Sequence, residues 1–127
     1  MTILLVEDSK MLRVANARAL VRAGYQVVAA EDGEEALRLA RANPPDLILL
    51  DMMLPKITGL DVLRGLKSDA RTKDIPVIVL SGLSQANGHK LIKEGATAFF
   101  EKSEKTLANE SADLIEAVKN VLAGASK

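Results

Sequence analysis

The 127-residue sequence contains no cysteine and no tryptophan, and only one tyrosine and two phenylalanines. Without cysteine there is no disulfide framework, no zinc–thiolate site and no thiol nucleophile. So few aromatic rings provide no stacking platform for single-stranded nucleic acid. There is no surplus of charge either. The 17 Lys and Arg balance the 17 Asp and Glu, so the basic excess behind general nucleic-acid binding is missing. No run reaches the ~18 apolar residues of a membrane span. The opening Met1-Thr2-Ile3-Leu4-Leu5-Val6 meets acid at once and has no basic segment ahead of it, unlike a secretory leader. A cytoplasmic location is expected, with neither nucleic acid nor membrane as a partner.

What is present organises as one expected domain over residues 1–127, with a core of about 2–122 and a frayed tail at 123–127. A chain of this length buries roughly two-thirds of its unfolded surface, enough for a core without staples. Short apolar runs mark strands at 3–6, 26–29, 47–50, 77–80 and 97–100. Three of them are nearly continuous in Val, Ile and Leu, as strands covered on both faces are. Helical periods lie between. Met11, Leu12, Ala15, Ala19 and Ala23 form one apolar stripe, ended by Gly24 as a left-handed cap. Asp32 is the expected N-cap of a second helix whose core face carries Ala36, Leu37 and Ala40, and Pro44-Pro45 stops it. Further helices are expected near 59–66, 85–94 and 111–122, with Gly88 costing the fourth about 1 kcal/mol relative to Ala. This alternation predicts an α/β domain with a doubly wound parallel sheet and right-handed crossovers.

Ligands of such a sheet bind beyond the carboxyl ends of its strands. There the sequence places Glu7-Asp8-Ser9, Asp51-Met52-Met53, Ser81-Gly82 and Glu101-Lys102. Taken singly, each has an ordinary reading: Asp8 or Ser9 caps a helix, and Ser81 and Lys102 are solvated. Together at one edge they suggest a site. Three crowded carboxylates (Glu7, Asp8 and Asp51) repel unless cations sit among them. Lys102 supplies one positive charge, and a hard divalent ion suits the remainder. Mg²⁺ binds through one or two carboxylates, keeps waters and accepts phosphate oxygens. Phosphoryl transfer needs such positioning and neutralisation, with Asp51 as the natural nucleophile.

Here the chain resembles the receiver domains of two-component response regulators, the chemotaxis-regulator-like family. Leu5-Val6-Glu7-Asp8 is similar to the family's first acidic motif, and Asp32-Gly33-Glu34-Glu35-Ala36-Leu37 to its second turn and helix. Asp51-Met52-Met53-Leu54-Pro55, with Gly59 four residues on, resembles the phosphoacceptor strand and loop. Ile75-Pro76-Val77-Ile78-Val79-Leu80-Ser81-Gly82 resembles the fourth strand, and Gly95-Ala96 the approach to the fifth. The resemblance implies a flavodoxin-like fold of five strands in order 2-1-3-4-5 with five helices. It implies Asp51 as phosphoacceptor, and Mg²⁺ or Mn²⁺ held by Asp8, Asp51 and the Met53 backbone carbonyl, with Glu7 acting through water. Ser81 and Lys102 would bind the phosphoryl group. Phe99 would be the aromatic switch that remodels a surface of the fourth helix, fifth strand and fifth helix. The implied partners are a sensor histidine kinase or histidine phosphotransfer domain upstream and an unnamed protein downstream. No enzymatic turnover is implied beyond self-phosphorylation from acyl phosphates and self-dephosphorylation.

The sequence departs from the family where Ser103 replaces the proline that usually follows the lysine. Gly82 stands where Ala is commoner, and Asn87 and Gly88 would leave the fourth helix short. Met53 and Leu83 cannot orient water by hydrogen bonding, so slow self-dephosphorylation is expected. Met53 also argues against an aspartate-based phosphohydrolase, which needs a second carboxylate at that place. A degenerate receiver acting as a phosphorylation-independent scaffold is the alternative, although no acid of the pocket is missing. Nucleotide binding lacks both G-x-G-x-x-G and G-x-x-x-x-G-K-[ST]. His89 reads as a solvated surface residue.

Overall fold

The computed structural model describes residues 1–52, 54, 57–81, 92–101 and 107–125. The described elements are strands β1 (Thr2–Val6), β2 (Gln26–Ala30), β3 (Leu47–Asp51), β4 (Val77–Ser81) and β5 (Ala98–Glu101), with helices α1 (Lys10–Arg22), α2 (Gly33–Ala42) and α3 (Gly59–Lys67) after the first three strands and α4 (Leu107–Ala125) after β5. The strands form one parallel sheet in the order β2-β1-β3-β4-β5, the order that the resemblance implies. The expected helix at 85–94 lies mostly outside the described residues, of which 92 and 93 are helical and Glu94 is in a turn.

Strand alternation divides the core in two, because successive side chains point to opposite faces. Leu4, Val6, Ile48, Leu50, Val77 and Val79 pack with Ala36 and Ala40 of α2 and Val62, Leu63 and Leu66 of α3. Ile3, Leu5, Leu47, Leu49, Ile78 and Leu80 pack with Leu20 of α1 and Leu114, Val118 and Leu122 of α4. Both sets are buried, which is why β1, β3 and β4 read as continuous apolar runs. Each Leu or Ile so buried stabilises the fold by about 1.5–3 kcal/mol relative to exposure.

Local signals set most helix ends. Ser9 caps α1 by accepting from Leu12 N at 3.4 Å, and Gly24 follows its C-terminus at φ +101°, the left-handed region where glycine is favoured. Asp32 caps α2 by accepting from Glu35 N at 2.9 Å, with Glu34 and Glu35 in the first turn. A capping box between Thr58 and Asp61 starts α3.

Two expectations about the helices are corrected. In α1 the buried side chain is Leu20 rather than the Met11 stripe. Met11 is 68% exposed, and Val14 and Val21 are exposed too. This helix is apolar on more than one side, so its period does not say which side faces the sheet. The last helix starts before 111 and runs through Ala125, past its expected end at Leu122. Its docked face of Leu114, Val118 and Leu122 is followed by the exposed Ala123 and Gly124 within the same helix.

Candidate functional site

Four strands run one residue longer than expected, and β5 is shifted by one residue. Asp51 is the last residue of β3, opposite Leu80, and Met52 N continues the pairing by donating to Leu80 O at 3.1 Å. Ser81 and Glu101 end β4 and β5 and face each other in register. The parallel register Val6↔Leu50 between β1 and β3 therefore brings Glu7, just past β1, level with Asp51 on the neighbouring strand, where chains lie about 4.8 Å apart.

Glu7, Asp8 and Asp51 each direct a carboxylate oxygen into one group, and these atoms all lie within 4.8 Å of one another. Glu7 is 1% and Asp51 2% exposed, whereas Asp8 is exposed. Two acids are thus withdrawn from bulk water at the mouth of the sheet while a third faces it. Ser9 rather than Asp8 takes the helix-cap role. Its backbone N–H also donates to Glu7 Oε2 at 3.4 Å, which holds the turn against the acid.

The wall beside Asp51 depends on a glycine. A Cβ on Gly59 would lie 2.6 Å from both Asp51 O and Met52 Cα, so only glycine lets the start of α3 approach this closely. The Gly59 N–H donates to Met52 O at 3.2 Å. The glycine that follows the acidic strand in sequence is therefore a contact between the start of α3 and the end of β3.

Ser81 lies in β4 one position beyond the partner of Asp51, and Phe99 in β5 is paired with Val79. Lys102, Ser103, Met53, Pro55 and the stretch carrying Gly82, Leu83, Asn87, Gly88 and His89 lie outside the described residues. Sequence periodicity gives no reason to single out Arg13, yet its guanidinium lies against the backbone of the acidic turn.

The donor set fits a hard divalent cation. All three acids offer a carboxylate oxygen, and these atoms are close enough to surround one ion directly or through water, a donor type suited to Mg²⁺ and Mn²⁺.

The sequence profile described as "Response regulator receiver domain" matches residues 3–119. The chain belongs to this family. It is thus a receiver domain of two-component signalling, a family in which phosphorylation and Mg²⁺ binding are general. It is 38% identical over 95 residues to the polar-differentiation response regulator DivK of Brucella ovis, covering 74% of this chain and 76% of that one. Among solved structures, the Vibrio cholerae chemotaxis protein CheY4 superposes with a TM-score of 0.84 at 27% identity, covering 94% of this chain and 97% of CheY4. The signal receiver domain of a signal transduction histidine kinase from Syntrophus aciditrophicus has a TM-score of 0.84 at 33% identity, covering 97% of this chain and 90% of that one.

Proposed function

We propose that the whole chain, residues 1–127, acts as a phosphoacceptor receiver domain in which Asp51 takes a phosphoryl group in a Mg²⁺-dependent reaction. The observation that carries this is the meeting of Glu7, Asp8 and Asp51 within 4.8 Å at the carboxyl edge of the sheet. Asp8, Asp51 and the Met53 backbone carbonyl would hold the ion, and Glu7 would act through a bound water. When bound, the ion neutralises charge on the transferred group.

In the transfer, an Asp51 carboxylate oxygen attacks phosphorus and forms a P–O bond. The donor's P–N bond breaks if it is a phosphohistidine, and the released imidazole takes up a proton; from a small acyl phosphate a carboxylate leaves instead. The donor partner is a sensor histidine kinase or a histidine phosphotransfer domain. Ser81 would hydrogen-bond the new phosphoryl oxygens and Lys102 would pair with them. The modification adds about −1.5 to −2 charge. Phe99 would respond by turning inward and reshaping the surface of residues 85–94, β5 and α4 for a downstream protein. The role is that of a switch rather than a turnover enzyme.

The test is intact-protein mass after incubation with Mg²⁺ and a small acyl phosphate, beside Asp51→Asn. One added phosphoryl group, absent from the variant and absent in EDTA, is expected. No addition to the wild-type chain would favour a phosphorylation-independent scaffold, and continuous release of inorganic phosphate would favour a hydrolase.

A further inference from the structure

Arg13 sits in the second turn of α1, but its side chain reaches back beneath the acidic turn. Its Nη1 donates to Glu7 O at 3.0 Å and to Asp8 O at 3.3 Å. Its Nη2 lies 3.5 Å from Glu31 Oε1 on the loop after β2, and the Arg13 side chain is only 14% exposed against 69% for Glu31. One guanidinium therefore ties the backbone of two pocket acids to the start of α1 and to the β2 side of the sheet. A planar fork with several donors can hold two adjacent carbonyls at once, which an ammonium on a flexible stem cannot do as well.

We infer that Arg13 is a positioning residue that sets the divalent-cation affinity of the pocket by fixing the backbone from which the Glu7 and Asp8 carboxylates project. This rests on the metal-binding reading above and adds to it the residue that holds the acidic turn in place. The sign of the effect separates positioning from charge. A cation this close to the pocket repels Mg²⁺ through space, so if charge were its only influence, removing it would tighten binding. If Arg13 holds the turn, removing it loosens binding despite the relieved repulsion. Groups that orient metal ligands typically change affinity by 10–100-fold.

The experiment is calorimetric titration of the full chain with Mg²⁺ and Mn²⁺, with the thermal midpoint of each variant measured in EDTA to establish that it is folded. Arg13→Met, which keeps the apolar stem, is expected to bind about tenfold more weakly. Arg13→Lys, which keeps the charge and the fold-supporting stem, is expected to be several-fold weaker and decides the matter if Arg13→Met is unfolded. Glu31→Gln should stay within about twofold, because an exposed ion pair contributes little. Phosphoryl incorporation in the Arg13 variants should recover towards wild type at saturating Mg²⁺. Equal or tighter binding by folded Arg13→Met and Arg13→Lys would overturn the positioning role while leaving the pocket's metal binding intact. No binding by the wild-type chain would overturn the metal reading and this inference with it.

Discussion

Two groups of acids in this molecule are arranged in opposite ways. In the connection leading into β4, Asp69 lies between guanidiniums. Arg71 donates Nε to Oδ1 at 3.2 Å and Nη2 to Oδ2 at 3.0 Å, and the Arg71 backbone N–H donates to Oδ1 at 2.8 Å. Arg41 Nε lies 3.1 Å from Oδ2 as an ion pair without hydrogen-bond alignment. The hydrogen bonds from Arg71 pull the Asp69 carboxyl down to about 2. At the carboxyl edge of β1 and β3, by contrast, Glu7, Asp8 and Asp51 gather with one another, two of them buried. The first arrangement pairs an acid with two guanidiniums and belongs to the scaffold. The second brings three carboxylates together at one edge of the sheet, an arrangement suited to a pocket that serves a cation and an incoming phosphoryl group. A neutral total of 17 against 17 averages over both.

The sharpest break of this contrast is Asp51→Asn, for which phosphoryl incorporation from an acyl phosphate should disappear entirely by intact mass. Asp69→Asn should incorporate as wild type does.

Next in size is the response to metal. At a hundred times its dissociation constant, Mg²⁺ should stabilise the wild-type chain by about 2.7 kcal/mol, or about 10 °C in thermal midpoint for a domain of this size. Asp8→Asn should lose most of that rise, yet in EDTA its midpoint should be no lower than wild type, because like-charge repulsion has been relieved. An equal Mg²⁺ response in Asp8→Asn, read by calorimetry, would contradict the pocket assignment.

Gly59→Ala should destabilise the chain by about 1–3 kcal/mol, the usual range for forced overpacking. Its Cβ would meet the backbone of Asp51 and Met52 at 2.6 Å, so denaturant unfolding should show the loss together with slower phosphoryl incorporation.

The smallest effect concerns Asp69. Its folded-state carboxyl titrates near 2 against an ordinary 3.8, so its stabilising contribution is present above pH 3.8 and is lost as pH falls through 2. Asp69→Asn should be slightly less stable than wild type at neutral pH, and the difference should close on acidification across that window. A difference that is constant down to pH 2 would show that the Arg71 contacts do not depend on its charge.

The sheet was legible in the sequence because both of its faces are covered, which forces continuous apolar runs in β1, β3 and β4. The acids were legible because strand ends map to one edge of a parallel sheet. Less was legible where one-dimensional pattern and three-dimensional packing part company. Met11 carries the period of a core position but lies in solvent, since Leu20 supplies the contact to the sheet. The link from Arg13 to the Glu7 and Asp8 carbonyls is made to backbone atoms, and no spacing of side-chain types announces it. The need for glycine at Gly59 arises from a close approach between α3 and the end of β3, which only the packing of the two elements shows.

The central claim is that the acidic pocket, and not the Asp69 network, is built to receive a cation. It is tested most directly by titrating Mg²⁺ into the uniformly labelled chain while following backbone amide resonances. Saturable shifts concentrated at residues 7–9 and 51–52, with residues 69–73 unmoved, are the predicted result. No saturable shifts at 7–9 and 51–52, or shifts that centre on residues 69–73, would contradict it.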